Sequence, residues 1–333
     1  MTKPAIIVAG AGVLGLWQAL LLARAGHPVR LVERSAEPFA QAASFYAGAM
    51  LGPFCETEAQ ATEVREPGLA AIEMWRREVP ATHVAGTLVV APARDLTELD
   101  RFARLTEGHR AVDADAIRTL EPDLGDRFAR GLFYPQEGHM APVPAMRHLL
   151  QAARAAGCET AFGCAWHNDM APPGTLVVDC RGMGARDDLK PLRGVRGERI
   201  VIRTREVSFS RPVRLLHPRH PLYVVPWDNG EFMVGATVIE SEDDSPLTVR
   251  SGLELLSLAY ALHPAFGEAE IVTAGAGVRP SWPDNYPKII PAGRVVHVNG
   301  SYRHGFLLAP LLADLVVRHL ADGSVDPLFF AQL

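Results

Sequence analysis

The sequence predicts an α/β protein in which a nucleotide-binding unit is interleaved with a second, α+β domain built on a mostly antiparallel sheet. Three observations support this prediction. A buried-strand pattern runs into a glycine-rich turn at residues 5–15, and a second such pattern does the same at residues 175–184. The chain between residues 199 and 235 is rich in strand patterns instead. A length of 333 residues suits two domains of ordinary size.

The composition excludes several classes of protein. With 48% hydrophobic and 21% charged residues the chain can bury a sizeable core. The formal charge is −5 and no basic stripe is present, so nucleic acid is not an expected partner. The four cysteines form no CxxC pair and no zinc-like cluster with histidine, which favours a reducing compartment and no metal. No apolar stretch approaches the roughly 18 residues of a membrane span or resembles a signal peptide, so we expect a cytoplasmic protein.

The first forty residues predict a βαβ unit. The run 5–9 is apolar and rich in β-branched residues, as in a strand buried on both faces of a parallel sheet. The glycine-rich turn 10–15 follows, then a helix over 13–25 and a second strand over 29–32. Glu33 stands at the end of that strand.

Each part of the turn has a physical purpose in binding a dinucleotide. Gly10 allows the tight turn, Gly12 lets the backbone approach a pyrophosphate, and Gly15 lets helix and strand pack closely. The helix N-terminus at Val13 offers free N–H groups to the phosphates. Glu33 can accept hydrogen bonds from a ribose diol, which argues against the 2′-phosphate of NADP. The motif alone does not separate FAD from NAD, and a glycine-rich turn in another kind of α/β protein is the alternative.

Patterning along the rest of the chain favours interleaved domains, because no linker is visible. Helices are predicted at 56–78 with an interruption near Pro67, and at 96–105, 113–120, 143–156, 248–262 and 307–320. Strands are predicted at 87–90, 175–179, 199–203, 222–225, 231–235 and 295–299, with a hairpin at Asp228-Asn229-Gly230. We expect residues 1–80, 140–190 and 270–333 to form the nucleotide domain, and 81–139 and 191–269 the substrate domain.

A series of motifs in the same order resembles the D-amino-acid oxidase superfamily of FAD-dependent oxidoreductases, most closely the bacterial glycine oxidases. The motifs are the fingerprint at 10–15 with Glu33, Ser44 followed by residues 47–51, His139-Met140-Ala141-Pro142, residues 177–182, Tyr223-Val224-Val225-Pro226, residues 234–237, Gly277-Val278-Arg279-Pro280, and residues 300–310. The last two motifs, after a Rossmann-type start, favour FAD over NAD. The resemblance covers most of the chain.

The resemblance implies a Rossmann-type FAD-binding domain and assigns residues to the cofactor. The loop 44–51 should lie against the isoalloxazine, and the loop 300–306 should pass its pyrimidine edge. A helix beginning near Leu307 would direct its N-terminus at the flavin N1/C2=O region, where it would stabilise negative charge. No cysteine lies near Arg279, so the FAD is expected to be non-covalent. The implied cofactor residues are Gly10, Gly12, Val13, Leu14, Gly15, Glu33, Arg34, Ser44, Ala47, Gly48, Met50, Arg181, Gly182, Gly300, Tyr302, Arg303, His304, Gly305, Phe306 and Leu307.

The same resemblance implies a site for a small amino acid. Arg279 matches an arginine that holds the substrate carboxylate, and a guanidinium can do so with two hydrogen bonds. Tyr223 matches a tyrosine that donates to the same carboxylate, and Arg303 matches a second arginine nearby. Surface or salt-bridge arginines and a half-buried strand tyrosine are the alternatives. The implied reaction is hydride transfer from Cα to flavin N5, giving an imino acid and then an oxo acid and ammonia, mostly by positioning and electrostatics.

Departures from the family pattern leave the substrate open. Ser301 replaces a histidine, His304 replaces an asparagine, and the bulky Phe45-Tyr46 pair comes with a one-residue insertion. Roles for His217 and His220 are equally open. The alternatives are a secondary amine such as sarcosine or a larger D-amino acid as substrate, an NAD-dependent dehydrogenase, and a non-catalytic flavoprotein. The electron acceptor is O₂ or another oxidant, and self-association into a homo-oligomer is open.

Overall fold

A computed structural model describes residues 3–56, 62–218 and 221–332 of the chain, and two large sheets dominate it. The strands are β1 (Ile6–Ala9), β2 (Val29–Glu33), β3 (Met50–Leu51), β4 (Thr87–Val90), β5 (Arg110–Asp113), β6 (Arg130–Tyr134), β7 (Gly138–His139), β8 (Glu159–Phe162), β9 (Leu176–Asp179), β10 (Arg193–Arg203), β11 (Val213–Leu215), β12 (Leu222–Pro226), β13 (Glu231–Gly235), β14 (Glu270–Ser281), β15 (Lys288–Ala292) and β16 (Val295–Asn299). The helices are α1 (Val13–Arg24), α2 (Arg65–Glu78), α3 (Leu96–Leu105), α4 (Ala114–Leu120), α5 (Pro142–Ala155), α6 (Val249–Leu262) and α7 (Gly305–Asp322).

The first sheet has six strands in the order β15-β16-β9-β1-β2-β8. Its pairs are parallel except for the β15–β16 hairpin. β1 lies between β2 and β9, with Ile6 opposite both Val29 and Leu176. The apolar run of β1 is buried along its whole length, as the sequence predicts for a strand covered on both faces. Helix α1 packs against α5 and α7, and α2 packs against α7.

The second sheet has eight strands in the order β14-β10-β13-β12-β11-β4-β6-β5. All neighbours are antiparallel except β11 and β4. One face carries a core that includes Ile200, Val224 and Val234 and packs against Leu255 and other residues of α6. Side chains alternate between the two faces of a strand, so their sequence neighbours point the other way.

The opposite face of this sheet carries four residues in one register row. Tyr223 of β12 is opposite Gly235 of β13, Gly235 is opposite Arg199 of β10, and Arg199 is opposite Gly275 of β14. A β-carbon on Gly48 would lie 3.3 Å from the Tyr223 ring, so the loop before β3 contacts this face. The two sheets therefore meet through the loop that leads from the first sheet to β3.

Most predicted elements are confirmed, and the differences have physical reasons. The helix predicted at 56–78 begins at Arg65, and residues 57–61 lie outside the described ranges. Pro67 lies in the first turn of α2, where its missing N–H would have no helical partner. The Asp228–Gly230 turn joins β12 and β13 as an antiparallel hairpin. The last helix begins at Gly305 rather than Leu307, since Gly305 already adopts helical geometry after His304.

No helix within the described ranges is long and apolar enough to cross a membrane.

Candidate active site

The glycine-rich turn between β1 and α1 has the geometry that its sequence predicts. Gly10 has a φ of 97°, and a β-carbon there would lie 2.6 Å from the carbonyl oxygen of Cys180. A β-carbon on Gly15 would lie 1.8 Å from the carbonyl oxygen of Gly10. Both contacts are with backbone, which cannot move aside. Gly10 and Gly15 are therefore required by the close approach of β1, β9 and α1.

The N-terminus of α1 is suited to an anion. Gly12 is its N-cap residue and offers no side chain to cap the free N–H groups of the first turn, which Val13 and Leu14 begin. The hydroxyl of Ser44 accepts a hydrogen bond from the N–H of Val13 at 3.1 Å. The loop that carries Ser44 thus lies directly over the start of α1, where a pyrophosphate would bind.

Glu33 stands at the end of β2 beside this turn. Its carboxylate accepts hydrogen bonds from the N–H of Ala11 at 2.7 Å and of Ser35 at 3.0 Å. The next residue, Arg34, is exposed to solvent. Together the N-terminus of α1, the glycines without β-carbons and the acid at the end of β2 fit the pyrophosphate and ribose of FAD.

The end of β9 forms a buried ionic cluster. Burial alone would raise the pKa of Asp179, but hydrogen bonds from His297 and Arg181 hold it well below its usual range. Arg181 donates to Asp179 at 2.9 Å and 2.7 Å, so its charge is already neutralised. Gly182 has a φ of 57°, and its carbonyl accepts from Asn299 at 3.0 Å. The predicted contacts of Arg181 and Gly182 with FAD therefore depend on backbone more than on the guanidinium charge.

The loop before α7 is compact and leads into the helix beside α1. Gly300 has a φ of 74°, and a β-carbon there would collide with the Trp282 ring at 2.0 Å. His304 is the N-cap residue of α7, and burial lowers the pKa of its imidazole to about 4, so the ring is neutral near pH 7. A β-carbon on Gly305 would lie 3.8 Å from Val13, which places the starts of α7 and α1 side by side.

The other predicted cofactor residues are placed by packing. The ring of Phe306 stacks on Trp75, whose indole N–H donates to the Phe306 carbonyl at 2.6 Å. Leu307 packs over Gly68, and the N–H of Tyr302 donates to the Pro280 carbonyl at 2.9 Å.

The predicted cofactor residues of the loop before β3 follow one another along the chain. Ala47 comes directly after the short helical turn Ala43–Tyr46. Gly48 lies against Met233 and Tyr223, and Met50 begins β3.

Tyr223 and Arg279 lie on the same face of the eight-stranded sheet. Arg279 is opposite Val195, and its guanidinium lies across Gly197, where a β-carbon would be 2.0 Å from Nη2. Its Nη1 donates to the Thr237 carbonyl at 3.2 Å. Burial lowers the pKa of Arg279 and raises that of Tyr223, whose phenol lies within the electrostatic field of Arg279 and Arg303.

Arg303 is bound to a residue that the sequence analysis did not select. Its guanidinium pairs with the carboxylate of Glu56, and Glu56 also pairs with Arg214 at 3.3 Å. Burial alone would lower the pKa of Arg303, but Glu56 holds it above its ordinary value. Burial would likewise raise the pKa of Glu56, but the two guanidiniums keep it lowered and the carboxylate ionised. The structure thus places one anion and three arginines around Tyr223.

A cavity of about 290 Å³ opens beside these residues. Tyr223, Arg214 and Arg303 line it together with Thr237 and residues of α6. Sequence patterns do not indicate Arg214, because its short strand β11 lacks a clear alternation. No group of three or more metal-binding side chains occurs in the part of the chain that the structure describes.

Phe45 and Tyr46 pack on the sheet rather than projecting into this cavity. The Tyr46 ring lies against Gly275 and Gly277 of β14. Both rings contact the buried guanidinium of Arg199, which donates to the Phe45 carbonyl at 2.8 Å. His217 lines a shallow depression beside α6, and His220 lies outside the described residues.

Known proteins resemble the chain over nearly its whole length. A family model described as FAD-dependent oxidoreductase matches residues 5–319. A putative thiamine biosynthesis oxidoreductase, ThiO, of Rhizobium etli is 51% identical over 323 residues, which cover 97% of this chain and 98% of that protein. A glycine oxidase of Pseudomonas aeruginosa is 26% identical, and the match covers 98% of each chain. The crystal structure of glycine oxidase from Bacillus cereus has the same fold, with a TM-score of 0.81 at 20% identity, over 98% of this chain and 99% of that one.

The sequence left alternatives open for the cofactor and for the class of protein, and these matches decide between them. The predicted fold class and the use of FAD are confirmed, and the NAD-dependent alternative and the non-catalytic flavoprotein are not supported. The chain belongs to the FAD-dependent oxidoreductase family that includes the glycine oxidases and ThiO.

Proposed function

We propose that this enzyme oxidises the C–N bond of glycine or a similarly small amino acid to an imino acid, which water converts to an oxo acid and ammonia. The observation that carries the proposal is the grouping of Arg279, Tyr223 and Arg303 on the sheet face that contacts Gly48. Two relatives over the full length, the putative ThiO and the glycine oxidase, support the same substrate class.

The proposed roles follow from charge and position. Arg279 binds the substrate carboxylate, because it has a full charge and two backbone carbonyls but no carboxylate partner within the described residues. Tyr223 donates its phenol hydrogen to the same carboxylate, since its raised pKa keeps the proton in place. Arg303 adds positive charge that Glu56 partly offsets. FAD, when bound, would supply the hydride acceptor for oxidation at Cα.

The protein need supply no strong base for this reaction. The lone pair of a neutral amine drives the loss of hydride, so catalysis depends on orientation and electrostatics. His304 is neutral near pH 7 and therefore adds no positive charge beside α7.

We assign FAD to the residues that the family resemblance implies, held without a covalent bond. The nucleotide half binds to the turn 10–15, Glu33 and Arg34, and the central part of FAD binds to Arg181 and Gly182. The flavin binds to residues 44–50 and 300–307.

In the same proposal the FAD domain consists of residues 1–80, 140–190 and 270–333, and the substrate domain consists of residues 81–139 and 191–269. The strands of the six-stranded sheet support it, since all lie in the first set of segments. β14 lies in the third segment yet forms an edge of the eight-stranded sheet, so the chain crosses between domains there.

A second candidate substrate is a secondary amine such as sarcosine, or a larger amino acid. The cavity of about 290 Å³ has room for roughly ten waters at about 30 Å³ each, well beyond the five heavy atoms of glycine. Its lining includes the apolar side chains of Val238, Leu255 and Leu258, which suits an N-methyl group or a side chain. Three other properties remain predictions: an electron acceptor that is O₂ or another oxidant, a homo-oligomeric state and a cytoplasmic location.

The test is the visible spectrum of the purified holoenzyme during anaerobic addition of glycine, sarcosine and a panel of D-amino acids. Bleaching of the flavin bands by glycine at the lowest concentration supports the proposal, and readmission of air then tests O₂ as acceptor. Bleaching by sarcosine or a larger D-amino acid alone would favour the second candidate. A flavin spectrum that no amine bleaches would overturn the amino-acid assignment.

A further inference from the structure

A fully buried ion pair lies on the reverse face of β10, behind the proposed carboxylate site. Arg196 and Glu198 are 2% and 0% exposed, and Nη2 of Arg196 donates to Glu198 at 2.8 Å. Neither side chain contacts the proposed site, because residues 196 and 198 point away from the face that carries Tyr223. A buried pair of this kind contributes little net stability, since desolvation offsets the attraction. Its presence therefore calls for another explanation.

The pair holds the segment that leads into α6, and residues of α6 line part of the cavity. Arg196 donates to the carbonyls of Asp243, Ser245 and Pro246 at 2.7–2.8 Å. Glu198 accepts from the N–H of Thr248, the N-cap residue of α6, at 3.1 Å. The two charged side chains thus form hydrogen bonds with backbone groups of residues 243–248 that would otherwise bind water.

Glu198 also fixes Thr237, and Thr237 fixes Arg279. The Thr237 hydroxyl donates to the Glu198 carboxylate at 3.1 Å and accepts from the Glu198 N–H at 2.9 Å. The Thr237 N–H donates to the Glu198 carbonyl at 3.2 Å, so residue 237 has three bonds to one residue. Its remaining polar group, the carbonyl, accepts from Nη1 of Arg279 at 3.2 Å.

We propose that Glu198 is a positioning residue for the substrate carboxylate, acting through Thr237 on the guanidinium of Arg279. This inference rests on the proposed role of Arg279. The guanidinium is held by carbonyls and by the flat backbone of Gly197 rather than by an acid, so its charge stays available to the substrate. Loss of the Glu198 carboxylate removes its bond to the Thr237 hydroxyl, so Thr237 is held less firmly by the two remaining main-chain bonds, and its carbonyl orients Arg279 less well.

The experiment measures the dissociation constant of acetate with the holoenzyme, from the change in the flavin absorbance spectrum. Acetate has the carboxylate but no amine, so it binds without being oxidised. The variants are Glu198→Gln and Thr237→Val, with Thr237→Ser as the conservative rescue that keeps the hydroxyl. Glu121→Gln is the matched control, because Glu121 is a fully buried acid directly after α4, paired with Arg211 at 2.8 Å. Arg279→Met tests the proposed function itself.

We expect Glu198→Gln and Thr237→Val to weaken acetate binding roughly tenfold, the effect of a disturbed charge-assisted bond, and to raise KM with a smaller change in kcat. Thr237→Ser and Glu121→Gln should stay within about twofold of the parent, although Glu121→Gln will also lower the melting temperature. Equal acetate affinity in Glu198→Gln, Glu121→Gln and the parent would overturn the inference and leave Glu198 a structural residue. If Arg279→Met itself binds acetate normally, the proposed function fails instead.

Discussion

The guanidinium of Arg279 lies flat across Gly197, at a point where any β-carbon would come within 2.0 Å of Nη2. The contact joins neighbouring strands, since β10 and β14 pair at Gly197 and Gly277. The absence of a side chain at residue 197 therefore determines where the proposed carboxylate-binding group can lie.

Gly197→Ala should weaken carboxylate binding without unfolding the protein. The new methyl group would displace only the flexible end of a side chain, so we expect a stability loss below about 1 kcal/mol. The displaced guanidinium should raise the dissociation constant of acetate roughly tenfold. Gly252→Ala is the control, because its β-carbon would make an ordinary contact of 3.5 Å with Leu247. Unchanged acetate binding in Gly197→Ala would show that Arg279 does not bind the carboxylate in this position.

Glu56→Gln should have opposite effects on stability and on anion binding. The change removes the acid that pairs with Arg303 and Arg214, and it leaves two largely buried cations without it. We expect the free energy of unfolding to fall by about 2 kcal/mol, in the range for a disrupted buried pair. Acetate should bind several-fold more tightly, since the positive charge near Tyr223 increases. Urea titration and the acetate spectrum measure the two effects, and weaker acetate binding would contradict this account.

The sequence was sufficient to predict the cofactor half of the fold but not the whole site. Residues 5–33 follow local rules, because the strand, turn and helix patterns are contiguous and backbone contacts require Gly10 and Gly15. Glu56 and Arg214 could not be found in this way, since they meet Arg303 only after β11 and the segment before α2 come together. Their charges are neutralised by partners that are distant in sequence, and no periodic pattern in the sequence indicates such a pairing. The same holds for Thr237, whose proposed role comes from its carbonyl.

Arg199→Met should stabilise the protein, whereas Arg199→Lys should not. Arg199 is 4% exposed and has no ion-pair partner among the described residues, and its Nε and Nη1 lack hydrogen-bond acceptors. Burial lowers its pKa to about 10, which reflects an uncompensated desolvation cost. Three aromatic rings and the Phe45 carbonyl offset only part of that cost.

An apolar side chain of similar length should therefore raise the free energy of unfolding by about 1 kcal/mol. Lysine keeps the charge but loses the planar stacking on the aromatic rings, so Arg199→Lys should lower the free energy of unfolding. Chemical denaturation of both variants measures the difference. A loss of stability in Arg199→Met would mean that the ring contacts outweigh desolvation.

His304 should make the protein less stable in mild acid. Its folded pKa of about 4 lies below the value of about 6.5 expected in the unfolded chain. Between these values the unfolded state binds a proton that the folded state does not, so stability increases with pH. The contribution is complete above pH ~6.5 and is lost as the pH falls toward ~4, with a slope of at most about 1.4 kcal/mol per pH unit.

His304→Asn removes this group while keeping a polar side chain at the N-cap of α7. We expect the variant to lose less stability than the parent between pH 7 and pH 5, as measured by urea unfolding at each pH. His139, whose pKa burial lowers to about 3, contributes with the same sign and remains in both proteins, so some acid sensitivity should persist. Identical pH dependence in the parent and His304→Asn would show that the imidazole at residue 304 reaches solvent and keeps an ordinary pKa.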